Sequence, residues 1–219
     1  MIQFFAYSES VFCAKVRIAL DMKGLEYAEL PPPDGYGSKT YKAIIPSGSI
    51  PGLKDGNAGL SDSNAILEYL EETAPSPALL PEAAAERALV RMLMGMHDTR
   101  IEPSVRAFYA PIKAGTSPSD PCYHQLIENM GAAFERLEDL IEAAPYAVGH
   151  HVTLVECAYA TTFSQAHQLA TMFGGELKLG PKCQRWWQEM QSLSHAATSI
   201  DINRKAMQDW VAKFIQVDA

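Results

Sequence analysis

Cysteine is scarce and scattered in this chain. Cys13, Cys122, Cys157 and Cys183 stand without the short spacings of a metal site or a disulfide framework, so a reducing compartment is expected and no bound metal. No uncharged apolar run approaches the roughly 18 residues of a membrane helix, which argues against a membrane partner. Positive charge is in deficit: 18 Lys and Arg against 26 Asp and Glu leave a net charge of −8. Without a basic stripe, nucleic acid is excluded as a partner. The opening Met1-Ile2-Gln3 has no basic segment of the secretory type and runs directly into a strand-like pattern, so a cytoplasmic location is expected. There is no internal repeat and no low-complexity tract.

What is present is ordinary globular material. Apolar residues make up 47% and charged residues 20%, a balance that excludes disorder. A chain of 219 residues can bury one good core or two modest ones. Proline and glycine, 14 of each, mark the joints.

Two halves differ in pattern. Residues 1 to 75 mix periods. After an apolar start, "SVFCAKVRIALDMK" reads as a helix from Ser10 to Lys23, with Val11, Ala14 and Ile18 on one face and Cys13, Val16 and Leu20 on the next. Gly24 is placed to stop it. "LEYAEL" (25–30) reads as a strand, and "PPPDGYGSK" (31–39) as a loop that leaves room for a short helix. "IPGLKDGNAGL" (50–60) reads as two strands around Asp55-Gly56-Asn57. "SDSNAILEYLEETAP" (61–75) reads as an amphipathic helix whose apolar face is Ala65, Ile66, Tyr69 and Leu70. A proline-rich linker, 76–82, then leads to a region, 83–219, that is helical almost throughout. Its helices are expected near 83–113, 122–143, 153–172, 181–193 and 203–215.

Four short stretches carry chemistry. In the first, Ser10 stands where a strand gives way to a helix, a place where unpaired N–H groups and the helix dipole favour negative charge. Serine is also a good helix cap, so a purely structural role stays open. Ser10-Val11-Phe12-Cys13 has the spacing of a C-x-x-C redox motif with serine in first place, so no internal disulfide can form. Cys13 reads as a buried apolar filler. In the second, "PSGSIPGL", the Ile50-Pro51 pair precedes a strand; a cis bond there would leave the backbone of Ile50 free to pair with an extended ligand. In the third, "LSDSNAI", Asp62 and Ser63 at a helix start suit an amino-acid head group, and equally suit capping. In the fourth, "GHHVTLVECAYA", Thr153 and Glu156 form a capping box, while His150 and His151 read as surface residues. The Trp186-Trp187 pair reads as core or surface cover.

Together the four stretches, in this order and spacing, resemble the cytosolic glutathione transferases, in particular their serine-dependent, bacterial-like classes. The resemblance covers nearly the whole chain. It implies a thioredoxin-like α/β domain (βαβ-ββα) followed by an all-α domain. It implies an enzyme that binds glutathione as co-substrate, with no other cofactor, and activates its thiol for attack on a small, mostly apolar electrophile. Ser10 would hydrogen-bond the thiol; Tyr7, where other classes use tyrosine, is the rival, and Ser8 lies two residues early. Ile50, beside a cis Pro51, would pair with the cysteinyl part of glutathione. Asp62 and Ser63 would hold the γ-glutamyl end. Ser49 is a weaker candidate for the glycyl end, where relatives often carry a longer polar side chain, with Lys39 or Lys42 as helpers.

The second substrate would lie between the domains, within reach of His97, Arg100, Arg106 and Tyr109, although Arg100 could equally pair within the helical domain and Tyr109 could be packing. The resemblance also implies a twofold homodimer, to which the methionines of "RMLMGMHD" (91–98) would contribute unless they are core. Two alternatives stay open. One is a glutathione-dependent isomerase of the maleylacetoacetate type, although Val11-Phe12 departs from the Ser-Cys pair that follows the serine in that class. The other is a non-catalytic binding or assembly module that has borrowed the fold.

Overall fold

A computed structural model describes residues 1–215. The chain begins with β1 (Ile2–Phe5), α1 (Val11–Met22), β2 (Tyr27–Leu30) and the short α2 (Lys39–Lys42). β3 (Gly52–Asp55), β4 (Ala58–Ser61) and α3 (Ser63–Thr73) follow. The rest is helical: α4 (Ala84–Met96), a π-helical stretch (His97–Ile101), α5 (Glu102–Arg106), α6 (Tyr109–Lys113), α7 (Cys122–Glu138), α8 (Leu154–Met172), α9 (Pro181–Ser192) and α10 (Ser194–Ala212). This is the thioredoxin-like α/β unit and the helical region expected from the sequence. Residues 216–219, at the end of the expected all-helical region, lie outside the described residues.

The four strands form one mixed sheet in the order β2-β1-β3-β4. β1 runs parallel to β2 and antiparallel to β3, and β3 and β4 form a hairpin. Alternation along β1 sends Phe4 into the main core and Phe5 to the other face, against Tyr41 and Ile45. α1 is the hub. It packs against α3, α8 and α10, and is therefore buried nearly all round, Lys15 and Arg17 included. Each buried cation has a carboxylate: Arg17 forks onto Glu29, Lys15 meets Asp98, and Lys23 meets Glu71.

Three expectations need correction. The helix expected over 83–113 is broken into α4, the π stretch, α5 and α6. Pro103 and Pro111 have no N–H to give to the preceding turn, so a continuous ladder cannot cross them. The last helix starts at Ser194, well before residue 203, and follows α9 with only Leu193 between them. Its first turns, "SHAATSID", carry too few apolar residues to show a helical period. On α3, Ala65 faces solvent and Leu67 is buried, so the apolar face is Ile66, Leu67 and Leu70, with Tyr69 half-buried.

Candidate functional site

Strand register brings the three N-terminal stretches together. Gly52 lies opposite Phe5 on one side and Ser61 on the other. The chain therefore leaves β1, enters β3 and leaves β4 at the same end of the sheet. The Tyr7–Ser10 turn, the Ile50-Pro51 turn and the Asp62-Ser63 helix start all open there.

Ser10 is the N-cap of α1. Its hydroxyl oxygen accepts from the Cys13 N–H at 3.3 Å, and its own N–H donates to the Tyr7 carbonyl. A hydroxyl that accepts as a cap still has its one proton to donate, so the structural and chemical roles of Ser10 are compatible. Cys13, fully buried, has its thiol pushed up to about 11 by desolvation, which leaves it inert at neutral pH. Tyr7 is half-buried and packs edge-on against Tyr36, with ring centroids 6.1 Å apart.

The Ile50-Pro51 bond is cis. Among the described residues neither the N–H nor the C=O of Ile50 takes part in a hydrogen bond. Tyr41 braces the turn from beneath by donating to the Ser49 carbonyl at 2.9 Å, and Gly52 leaves room for that hydroxyl, since a Cβ there would lie 2.1 Å from it. Gly48, at φ +69°, lies against the Lys42 stem, where a Cβ would collide with that side chain. Ser49 is exposed and bonded to Ser47.

Asp62 caps α3 from a positive φ of 71°, its carboxylate accepting from the N–H groups of Asn64 and Ala65 at 2.9 and 3.1 Å. It is exposed, and Ser63 beside it is buried. Behind them a polar network joins the two halves of the chain. The Lys15 ammonium donates to Asn64 and Asp98, Asn64 donates to Asp98 at 2.7 Å, and His97 joins Asp98 to Thr162.

His97 is thus not a substrate contact. It is fully buried, with both ring nitrogens engaged, and burial together with the Lys15 charge pushes its imidazole down to about 4 against the pull of Asp98. Arg100 is exposed and has no ion pair among the described residues. Arg106 and Tyr109 come together. The guanidinium lies 5.7 Å from the Phe12 ring and 5.6 Å from the Tyr109 ring, and pairs with the buried Glu102. Tyr109 accepts from Gln165 at 2.6 Å and leans on Trp210, centroids 4.9 Å apart. Phe12, Glu102 and Trp210 were missed by sequence reasoning. The Glu102–Arg106 spacing was visible as a helical pair; nothing local announced Trp210.

In the fourth stretch the capping box is complete. Glu156 accepts from the Thr153 N–H and hydroxyl, and also from the Ala147 N–H and the Trp186 indole. Trp186 is core; Trp187 is half-buried over Phe163 and His167. His150 and His151 are exposed.

A thioredoxin-like sheet with these three openings at one end, backed by a helical region, defines a class of two-part α/β and α proteins. Comparison with known proteins gives the family. The model of the glutathione S-transferase N-terminal domain matches residues 4–78. Maleylacetoacetate isomerase of Rattus norvegicus is 31% identical over 171 residues, 75% of this chain and 77% of that protein. A glutathione S-transferase of Pseudomonas putida is 30% identical over 169 residues, 76% of each chain. Among solved structures, a maleyl pyruvate isomerase described as a bacterial glutathione S-transferase of the zeta class superposes with a TM-score of 0.72 at 26% identity, covering 92% of this chain and 97% of that one. The chain belongs to the glutathione S-transferase family.

Proposed function

We propose that this protein is a serine-type glutathione transferase, with Ser10 as the hydroxyl that steadies the glutathione thiolate. The observation that carries the reading is the register that opens the Ser10, Ile50 and Asp62 segments at one end of the sheet. An extended tripeptide laid along Ile50 pairs with its unengaged backbone groups. The γ-glutamyl ammonium meets the Asp62 carboxylate and its α-carboxylate meets Ser63 and the start of α3. The glycyl carboxylate falls to the Ser49 turn, with Lys39 or Lys42 as helpers. Tyr7 is the rival hydroxyl, and the domain division is taken as 1–75 and 83–219 about the 76–82 linker.

The physics of activation is direct. A free thiol has a pKa of about 8.5 and is mostly protonated at neutral pH. Lowering it by about two units takes roughly 2.7 kcal/mol. One hydroxyl donor and a helix N-terminus are of the right size to supply this. The Cys13 N–H, by donating to Ser10, polarises the hydroxyl and strengthens what it donates. The thiolate then attacks an electrophilic carbon held between the two halves of the chain.

A homodimer belongs to the same proposal. Met94 and Met96 are core, but Met92 is half exposed, next to the exposed Arg91–Glu68 pair. A cleft of about 240 Å³ lined by Asn64, Glu68, Arg91, Met94 and Leu154 opens beside them.

The test is an ultraviolet difference titration of glutathione with wild type and Ser10→Ala. A thiolate band near neutral pH in wild type, lost in the variant while glutathione still binds, supports Ser10. No binding by wild type at millimolar glutathione removes the transferase reading and favours a non-catalytic module. A second reading, glutathione-dependent cis–trans isomerisation, is favoured by the isomerase names of two of the proteins above. It predicts turnover of a cis-unsaturated diacid with no net consumption of glutathione.

A further inference from the structure

We propose that Asn203 is a positioning residue of the thiol site: its side-chain amide, reaching in from α10, holds the Ser8 carbonyl and so fixes the turn that carries Ser10. The inference rests on the serine-type reading and concerns what keeps the Ser10 hydroxyl in place.

Three observations carry it. First, Asn203 is out of keeping with its own helix. It lies in the middle of α10, on the buried stripe of Ala196, Ile200, Met207 and Val211, and is itself fully buried. An amide there weakens the helix and gives up its water, so an apolar side chain would serve packing better. Its Oδ1 has no partner among the described residues. The bond the amide does make runs from Nδ2 to the Ser8 carbonyl, at 3.0 Å and across 195 residues of chain. A carbonyl only accepts, so it is the NH2 end that faces Ser8.

Second, the turn is thinly held. Pairing with the second strand ends where the Ala6 N–H donates to the Leu30 carbonyl, and α1 begins just beyond Ser10. Among the described residues two hydrogen bonds reach the backbone between those points. The Ser10 N–H donates to the Tyr7 carbonyl at 3.2 Å, within the turn itself, and Asn203 donates to the Ser8 carbonyl. Of the two, the Asn203 bond alone comes from elsewhere in the chain.

Third, the cap does not lock the hydroxyl. The Cys13 N–H meets the Ser10 oxygen at 3.3 Å, longer than the roughly 2.9–3.0 Å usual for such bonds. Where the hydroxyl stands therefore depends on the backbone leading into it. The Ser8–Glu9 peptide is trans and planar, so a grip on its carbonyl turns the whole plane, and Ser10 follows one residue later. A donor misplaced by about 1 Å forfeits much of its hold on a thiolate.

The experiment uses the full chain and glutathione. Asn203→Leu and Asn203→Ala both remove the donor; the first keeps volume on the apolar stripe and the second leaves room. The thiolate band is followed against pH in wild type, in each variant, in Ser10→Ala, and in Ser10→Ala combined with Asn203→Leu. We expect either single variant at Asn203 to raise the pKa of the bound thiol by about one unit. The thiolate fraction should then fall about fivefold at pH 6.5 and less than about twofold at pH 8.5. The melting temperature of Asn203→Leu should move by no more than about 4 °C, because the stripe gains an apolar side chain as it loses a hydrogen bond. In the Ser10→Ala background the same substitution should shift the titration by less than about 0.3 unit, since the hydroxyl it positions is gone.

A folded variant at Asn203 with an unmoved titration overturns the proposal, as does an equal shift in both backgrounds. Failure of both single variants to fold also overturns it, by assigning the amide to stability alone. A wild type without a thiolate band, or a band that survives Ser10→Ala, removes the serine-type reading beneath the proposal, a result separate from the other three.

Discussion

The Lys15 ammonium lies 3.1 Å from the Asp98 carboxylate, in a setting where the lysine is fully buried and the aspartate is one-quarter exposed. The pair ties α1 to the helical region, and Asn64, next to the Asp62-Ser63 corner, closes the triangle. Burial disfavours the charge on both partners, yet Asp98 is held below the usual carboxylate range by His97 and Lys15. Removing one member leaves the other charged and unpaired. Asp98→Ala should cost about 3–5 kcal/mol in urea unfolding, and the double replacement Lys15→Met with Asp98→Leu should cost clearly less than the sum of the two singles. Additive losses would mean that the pair does not interact.

His97 makes a pH prediction. Its imidazole is pushed from 6.5 down to about 4, chiefly by burial, so the unfolded chain binds the proton more readily in that window. Stability therefore rises with pH between about 4 and 6.5 and is lost as pH falls through it, by at most about 3 kcal/mol from this group. His97→Gln keeps a donor for Asp98 and an acceptor for Thr162 but does not titrate. Chemical denaturation at pH 7.5 and 4.5 should show a smaller fall for the variant, and an equal fall would assign the pH dependence to other groups.

Glu156 is fully buried with four donors on its carboxylate, from Thr153 twice, Ala147 and Trp186. Glu156→Ala leaves those donors orphaned and should lower stability by about 3 kcal/mol or more. Thr153→Ala removes the cap while the acceptor for the other groups remains, and should cost about 1–2 kcal/mol. Thermal unfolding of both variants checks the order, which must not invert.

Ser10→Ala and Tyr7→Phe separate the two hydroxyls. If Ser10 holds the thiolate, its alanine variant should return the bound thiol to a pKa of about 8.5 and lower kcat roughly 100-fold at pH 6.5. Tyr7→Phe should leave the titration within about half a unit. The pH profile of the thiolate band measures both, and the reverse pattern would transfer the role to Tyr7.

Much of the architecture was legible because secondary-structure signals are local. The Ser10 cap, the Gly56-Asn57 turn and the Thr153–Glu156 box each act over a few residues, and each stands where the sequence indicates. The misplaced start of α10 and the apolar face of α3 show the limit. A weakly patterned segment becomes helical when its neighbours bury it, and which side of an amphipathic helix is covered depends on what packs there.

Sequence alone determined the fold class and the three stretches that open on the candidate site, since these rest on short spacings and on turn chemistry, and the resemblance those stretches carry pointed to the family. Only the tertiary structure decided which polar residues would be interior. Lys15 and His97 were indistinguishable by type from surface residues, and Arg106 from Arg100, until α1, the π stretch and α8 closed on one another. Trp210 meets Tyr109, and Asn203 donates to the Ser8 carbonyl, across 195 residues of chain in the latter case. Contacts of that separation are selected by the packing of whole faces, where the energy comes from excluding water over many side chains at once, and no local pattern records which faces will meet.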